Sequence, residues 1–326
     1  MSLTHSNTSA SLHLEHIEQV SLPAHLTDAV EAYEDVGGDR DRFLWRWLYY
    51  VFPTIELSCV PPDASEAVRE TKFFASMYVV VLDDLAEATN DHRTFQEASK
   101  IPFDHLEADT VDPAVDEDWI AFAAAVWERV ATRLEDAPRG AALEDVFLFD
   151  MAQTHTAIEY SALVNRQLEL ATVESITAYD SYNMMLFPYA DIDLCFAPDF
   201  DPVELGSLRR IVTRAQMMAR IGNWVTTWER ELHEGDYSSG VVIAALEDGV
   251  LTHEQVRACG GDPETTAACI DAITDAEIES RFLRRWEARY REIERLAQSL
   301  EGTDVEALLA GLETLFECHL ASRGRK

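Results

Sequence analysis

The chain has 326 residues, of which 60 are acidic and 26 basic, for a formal charge of −34. A surface this negative repels nucleic-acid backbones and anionic lipid headgroups, so neither is an expected partner. Hydrophobic content of 47% supplies a sizeable core and excludes a disordered acidic chain.

Residues 1 to 22 are polar, with scattered Ser, Thr and His, and read as a flexible arm ahead of one domain spanning 23–326. Apolar residues then recur mostly at helical spacing. "FLWRWLYYVF" (43–52) is an aromatic block, and "KFFASMYVVVLDDLAEA" (72–88) runs from apolar into acid. Its "VVVL" stretch resembles a strand, but its surroundings favour a buried helix. "WIAFAAAVWERVATRLEDA" (119–137) and "LRRIVTRAQMMARIGNWVTTWERELHEGD" (208–236) are long amphipathic helices, and 278–300 and 304–323 supply two more. Pro61-Pro62, Pro102 to Pro113, Pro198 to Pro202 and Gly260-Gly261 separate the segments. Strand–helix alternation, a Gly-rich phosphate loop and internal repeats are all absent, so the expected fold class is all-α, as a single large domain.

Acid is spread along the whole chain, and lysine occurs only at 72, 100 and 326. The expected setting is a solvated acidic surface in a salt-loving organism. Five cysteines without CxxC pairing suggest reduced thiols. The N-terminus has no signal-peptide pattern and no apolar run reaches membrane-spanning length, so a cytoplasmic location is expected.

Two segments carry candidate chemistry. In "LDDLAE", Asp83 and Glu87 lie one helical turn apart with Asp84 beside them, where an apolar run ends. Such carboxyls suit a hard cation such as Mg²⁺, or else form an acidic helix end facing water. In "NWVTTWERE", Asn223, Thr227 and Glu231 recur at steps of four, placing an amide, a hydroxyl and a carboxylate on one helix face. That weakly charged oxygen set suits Mg²⁺ held jointly with a diphosphate. Arg230 returns to nearly the same face and Arg220 lies a turn before Asn223; both suit diphosphate oxygens.

Together "DDLAE" and "NWVTTWERE", 140 residues apart, resemble the two metal-binding motifs of class I terpene synthases, over roughly residues 40–323. The resemblance implies helices around a deep apolar cavity. It also implies Asp83 and Asp84 as catalytic carboxylates, and three Mg²⁺ ions holding a prenyl diphosphate between Asp83 and Glu87 on one side and Asn223, Thr227 and Glu231 on the other. Ionisation would release diphosphate and leave a carbocation to cyclise against aromatic walls. Phe73, Phe74, Tyr78, Phe187, Trp224 and Trp228 are candidates for those walls, with Asn183 also at the cavity. A homodimer is a further expectation.

Two departures from the family pattern stand out. Where its members carry a diphosphate-sensing arginine, Tyr179 is followed by Asn183. The C-terminal Arg-Tyr pair has only Arg323-Gly324 as its positional counterpart, Arg289-Tyr290 coming too early. Diphosphate contacts are then left to Arg230, Arg220 and Arg323. Chain-elongating or head-to-head prenyl transfer is the neighbouring reading, although Asp191-Ile192-Asp193 makes an unconvincing second aspartate motif. A non-catalytic helical binding protein is the reading from another class.

Overall fold

The computed structural model describes residues 12–297 and 300–325, and every regular element among them is helical. Helix α1 covers 12–19. It occupies much of the segment expected as a flexible arm: Ile17 is fully buried, and His13 bonds the Tyr50 hydroxyl at 3.0 Å. Leu14 and Ile17, three residues apart, give this short helix an apolar edge that packs; residues 1–11 of the arm lie outside the described residues.

Then follow α2 (Ala24–Asp35), α3 (Arg42–Val51), α4 (Ser65–Asp83), α5 (His92–Ala98), α6 (Glu117–Glu135) and α7 (Gly140–Arg166). The second half holds α8 (Val173–Tyr179), α9 (Leu186–Cys195), α10 (Leu205–Glu234), α11 (Gly240–Glu247) and α12 (His253–Ala258). It ends with α13 (Pro263–Asp275), α14 (Ile278–Leu296) and α15 (Val305–Ala321). The "VVVL" stretch lies inside α4, as its helical surroundings required. Part of the acidic excess is structural. Asp41, Asp91, Asp116, Asp262 and Asp304 each accept a first-turn amide at the start of α3, α5, α6, α13 and α15. A carboxylate there satisfies orphan N–H groups and complements the helix dipole.

The helices make one domain. α10 packs on α9, α14 and α15, while α4 packs on α3, α6, α7 and α9. Between them α3, α4, α7, α9, α10 and α15 enclose a cavity of about 670 Å³. Deep in the core, α4 and α9 are tied by Lys72 and Asp193, whose Nζ and Oδ1 lie 2.6 Å apart with both side chains fully buried. Among the described residues no helix is long and apolar enough to cross a membrane. All five cysteines carry free thiols.

Candidate active site

One face of α4 forms a wall of the cavity: Ser76, Val79, Val80 and Asp83, spaced three and four apart, followed by Glu87. At Asp84 the helix widens into a π turn, Asp84–Ala88, which Thr89 closes by donating its N–H to the Asp84 carbonyl at 2.8 Å. Single π turns inside α-helices recur at functional sites because they re-aim side chains. Here Asp83 and Glu87 line the cavity, whereas Asp84 does not. Asp84 is buried, accepting from the Tyr33 hydroxyl on Oδ2 and from Arg40 Nε on Oδ1 at 2.7 Å. The sequence grouped Asp84 with Asp83 as a catalytic carboxylate. The structure gives it to Tyr33 and Arg40 instead, because adjacent helical residues point about 100° apart.

The opposite wall is the C-terminal half of α10. Arg220, Asn223, Thr227, Arg230 and Glu231 all line the same cavity. The helix stops at Gly235, whose φ of +82° takes the left-handed conformation that glycine adopts without strain. The chain turns back there and brings Asp236 to the cavity as well. Asp236 Oδ1 accepts from Asn165 Nδ2 at 2.9 Å and from the Ser238 amide at 2.9 Å, so its position is fixed. The third wall, before α9, contains a break at Met185, a bulky residue at φ +57°. Such strain in a non-glycine residue concentrates at functional sites. Asn183, expected at the cavity, lines it beside this break.

No arginine stands on the break itself, as the sequence indicated, yet Asp180 there is fully buried and holds Arg220 through Nε at 2.5 Å. Arg220 Nη1 donates to the Asn223 amide oxygen at 2.8 Å. An arginine is thus presented to the cavity from α10 and anchored by the element where one was missing. Arg230 also lines the cavity, near Glu231 at 3.7 Å and paired with Glu234. Arg323 does not line it; its guanidinium is held by Glu229 and Glu279, both at 2.8 Å. The neighbouring Gly324 and Arg325 reach the rim in its place. Sequence reasoning missed Arg40, Asp236 and Arg325 as lining residues. For Asp236 the signal was present in the helix-ending "EGD".

The aromatic walls also differ from expectation. Phe73 and Phe74 pack against Trp45, Tyr49 and the arginines of α6. Tyr78 donates to the Ala98 carbonyl at 2.8 Å. Phe187 lies under Arg209, Trp224 against Phe282, and Trp228 donates to Glu279. None of the six lines the cavity, whose aromatic residues are Trp47, Phe52 and Tyr189. Phe74 and Tyr78 lie nine and five residues before Asp83, on other faces of α4.

The carboxylates are under electrostatic strain. Burial, and then Asp83 and Asp236, hold Glu87 well above the usual carboxylate range; its Oε1 is buried without a hydrogen-bond partner among the described residues. Glu231 is pushed up to about 7, first by burial and then by Asp236, against Arg220, Thr227 and Arg230. Asp236 acts on both, so the two motifs share one field. Among the described residues no group of three or more His, Cys, Asp or Glu side chains is close enough to hold a metal alone. Oxygen donors on facing walls nevertheless fit Mg²⁺, which keeps waters and completes its shell with substrate phosphates.

A pH effect follows. With a folded pKa above its ordinary 4.5, Glu231 contributes stability below about pH 4.5 that is lost as pH rises through about 7. Without metal, Glu231→Gln is therefore expected to match the wild-type melting temperature at pH 5 relatively closely and to gain on it by pH 8. Paired thermal melts check this; a pH-independent difference contradicts it. Because a ligand must be ionised, divalent-cation affinity is expected to rise with pH over the same window.

No family model matches the chain, and no curated protein matches it. Solved structures do. Isoprene synthase from grey poplar leaves (Populus x canescens) aligns with a TM-score of 0.62 at 12% identity, over 96% of this chain and 53% of that one. The same enzyme in complex with three Mg²⁺ ions and dimethylallyl-S-thiolodiphosphate aligns at 0.60 and 12%, over 95% and 55%. This chain thus spans about half the length of those structures. 2-Methylisoborneol synthase from Streptomyces coelicolor A3(2) aligns at 0.57 and 13%, over 95% and 91%. T. brucei farnesyl diphosphate synthase complexed with bisphosphonate BPH-722 aligns at 0.51 and 12%, over 99% and 98%. The chain therefore has the all-α fold of terpene synthases, which a prenyltransferase shares.

Proposed function

We propose that the protein is a Mg²⁺-dependent class I terpene synthase. It ionises a C15 or C20 prenyl diphosphate, releases diphosphate and cyclises the carbocation. One observation carries this reading: Asp83 on α4, Glu87 in the π turn that follows it, and Asn223, Thr227 and Glu231 on α10 line the same cavity. The fold shared with isoprene synthase and 2-methylisoborneol synthase supports it.

Asp83, Glu87, Asn223, Thr227 and Glu231 would hold the metal ions, three of them by analogy with the isoprene synthase complex. Bound there, Mg²⁺ supplies Lewis acidity toward the diphosphate leaving group. Arg220 and Arg230 bind diphosphate oxygens through forked donors. Asp180 fixes Arg220 so that its charge is positioned before the C–O bond breaks. Val79, Val80, Leu186 and Phe52 supply apolar lining for the prenyl chain, and the ring faces of Trp47, Phe52 and Tyr189 stabilise positive charge without acting as strong bases.

Prenyl transfer is the second reading, because farnesyl diphosphate synthase aligns over nearly the whole of both chains. Asp191 and Asp193 argue against it, since they face the core beside Arg209 and Lys72 rather than the cavity. Product extraction from Mg²⁺ incubations with geranyl, farnesyl and geranylgeranyl diphosphates, with and without isopentenyl diphosphate, separates the two. A cyclic hydrocarbon or alcohol from one substrate alone is the expected result. Longer prenyl diphosphates, formed only with isopentenyl diphosphate, would establish the transferase instead.

A further inference from the structure

Asp83 is already engaged on its cavity side. Arg40, from the segment joining α2 to α3, donates through Nη2 to Asp83 Oδ2 and through Nε to Asp84 Oδ1, both at 2.7 Å. Arg40 lines the cavity, and its side chain is one-third exposed. Its seat is built. The fully buried Tyr33 donates to Asp84 Oδ2 and accepts the Arg40 backbone N–H at 3.4 Å. Gly38 lets the segment close over that ring, since a Cβ there would lie 2.2 Å from Tyr33 Cζ. An arginine spanning two adjacent carboxylates neutralises repulsion that would otherwise favour a divalent cation. Asp83 Oδ2 cannot serve the guanidinium and a metal at full strength together.

We propose that Arg40 is the exchangeable counter-ion of Asp83: it holds that carboxylate while the cavity is empty and transfers to the diphosphate when substrate and Mg²⁺ arrive. Asp84 and Tyr33 are the positioning pair that keeps the guanidinium within reach of both partners. No bond is made or broken; one charge-assisted contact replaces another. The consequence is ordered assembly, with weak metal binding to the empty protein and strong binding once diphosphate draws Arg40 away. This inference rests on the proposed function for the identity of the anion, but its metal arm needs no substrate.

The test measures Mn²⁺ binding by electron paramagnetic resonance, first with no anion and then with inorganic diphosphate, in wild type, Arg40→Gln and Arg40→Lys. Arg40→Gln is expected to bind Mn²⁺ alone about tenfold more tightly, because Asp83 loses a competing positive charge, and to bind diphosphate in the presence of Mn²⁺ about tenfold more weakly. Arg40→Lys, which keeps the charge without the fork, is expected to lie between wild type and Arg40→Gln in both arms, and it stands in should Arg40→Gln fail to fold. A merely structural arginine would lower the melting temperature and shift both affinities the same way or not at all, which would overturn the exchange. Wild-type protein that binds no Mn²⁺ even with diphosphate would overturn both this inference and the proposed function. Wild-type binding that neither variant changes would overturn the exchange alone.

Discussion

Asp83→Ala is expected to abolish most diphosphate release, with kcat/KM falling by about 10²–10³-fold or more, as when a transition-state contact to developing negative charge is lost. Asp84→Ala is expected to behave differently, although the two residues are adjacent and chemically identical. Asp83 lines the cavity, whereas Asp84 is buried among Tyr33 and Arg40. Removing the buried carboxylate leaves the Tyr33 hydroxyl and one face of the guanidinium without their acceptor, at about 2–4 kcal/mol of stability. Melting temperature should therefore fall more for Asp84→Ala, and turnover more for Asp83→Ala. Steady-state kinetics and thermal melts on the same preparations decide; equal kinetic losses in both variants would return Asp84 to the catalytic group.

The largest stability effect is expected at Lys72, one of three lysines in the chain. Its ammonium lies 2.6 Å from Asp193 with neither side chain exposed. Asp193 Oδ2 also accepts the Leu57 amide at 2.9 Å. Burial pushes Asp193 up to about 6 even with Lys72 pulling it down. Lys72→Met leaves that carboxylate uncompensated, at about 3–5 kcal/mol, or roughly 4–7 °C in melting temperature for a domain of this size. Adding Asp193→Asn should restore most of the loss, since an amide oxygen still accepts from Leu57 and carries no charge. Recovery in the double variant, measured by denaturant unfolding, separates the charge effect from packing; no recovery would mean that the lost packing of the lysine stem dominates.

Long amphipathic helices declared themselves in the sequence. The 208–236 and 278–300 stretches became α10 and α14 with ends displaced by a few residues, because one polar face each is exposed and the apolar stripe is unbroken. Helix α7 left no comparable stripe. Its buried face carries Asp150, Thr154, His155 and Ser161 among the apolar residues, while Phe149 is exposed, so the apolar pattern is broken on both faces. The α10 row of Asn223, Thr227 and Glu231 was legible because polar residues at steps of four are conspicuous in a half-buried helix. Asp84 was grouped with Asp83 because a letter pattern cannot say which of two adjacent carboxylates lines the cavity. The aromatic walls were misread for a related reason: proximity in sequence to Asp83 stood in for position on its face. Counting back three, four and seven residues from Asp83 gives Val80, Val79 and Ser76, which do line the cavity. Arg40 carries no local signal, being 43 residues from the carboxylate that it holds.

Under the proposed function, the paired oxygen rows use metal to expel diphosphate from a prenyl chain. The deciding experiment follows inorganic diphosphate release from geranyl, farnesyl and geranylgeranyl diphosphates over a Mg²⁺ titration, with Asn223→Ala alongside wild type. Release from at least one substrate is expected, dependent on Mg²⁺ and lost in Asn223→Ala. Release that persists in a chelator, or that Asn223→Ala leaves unchanged, would contradict that function.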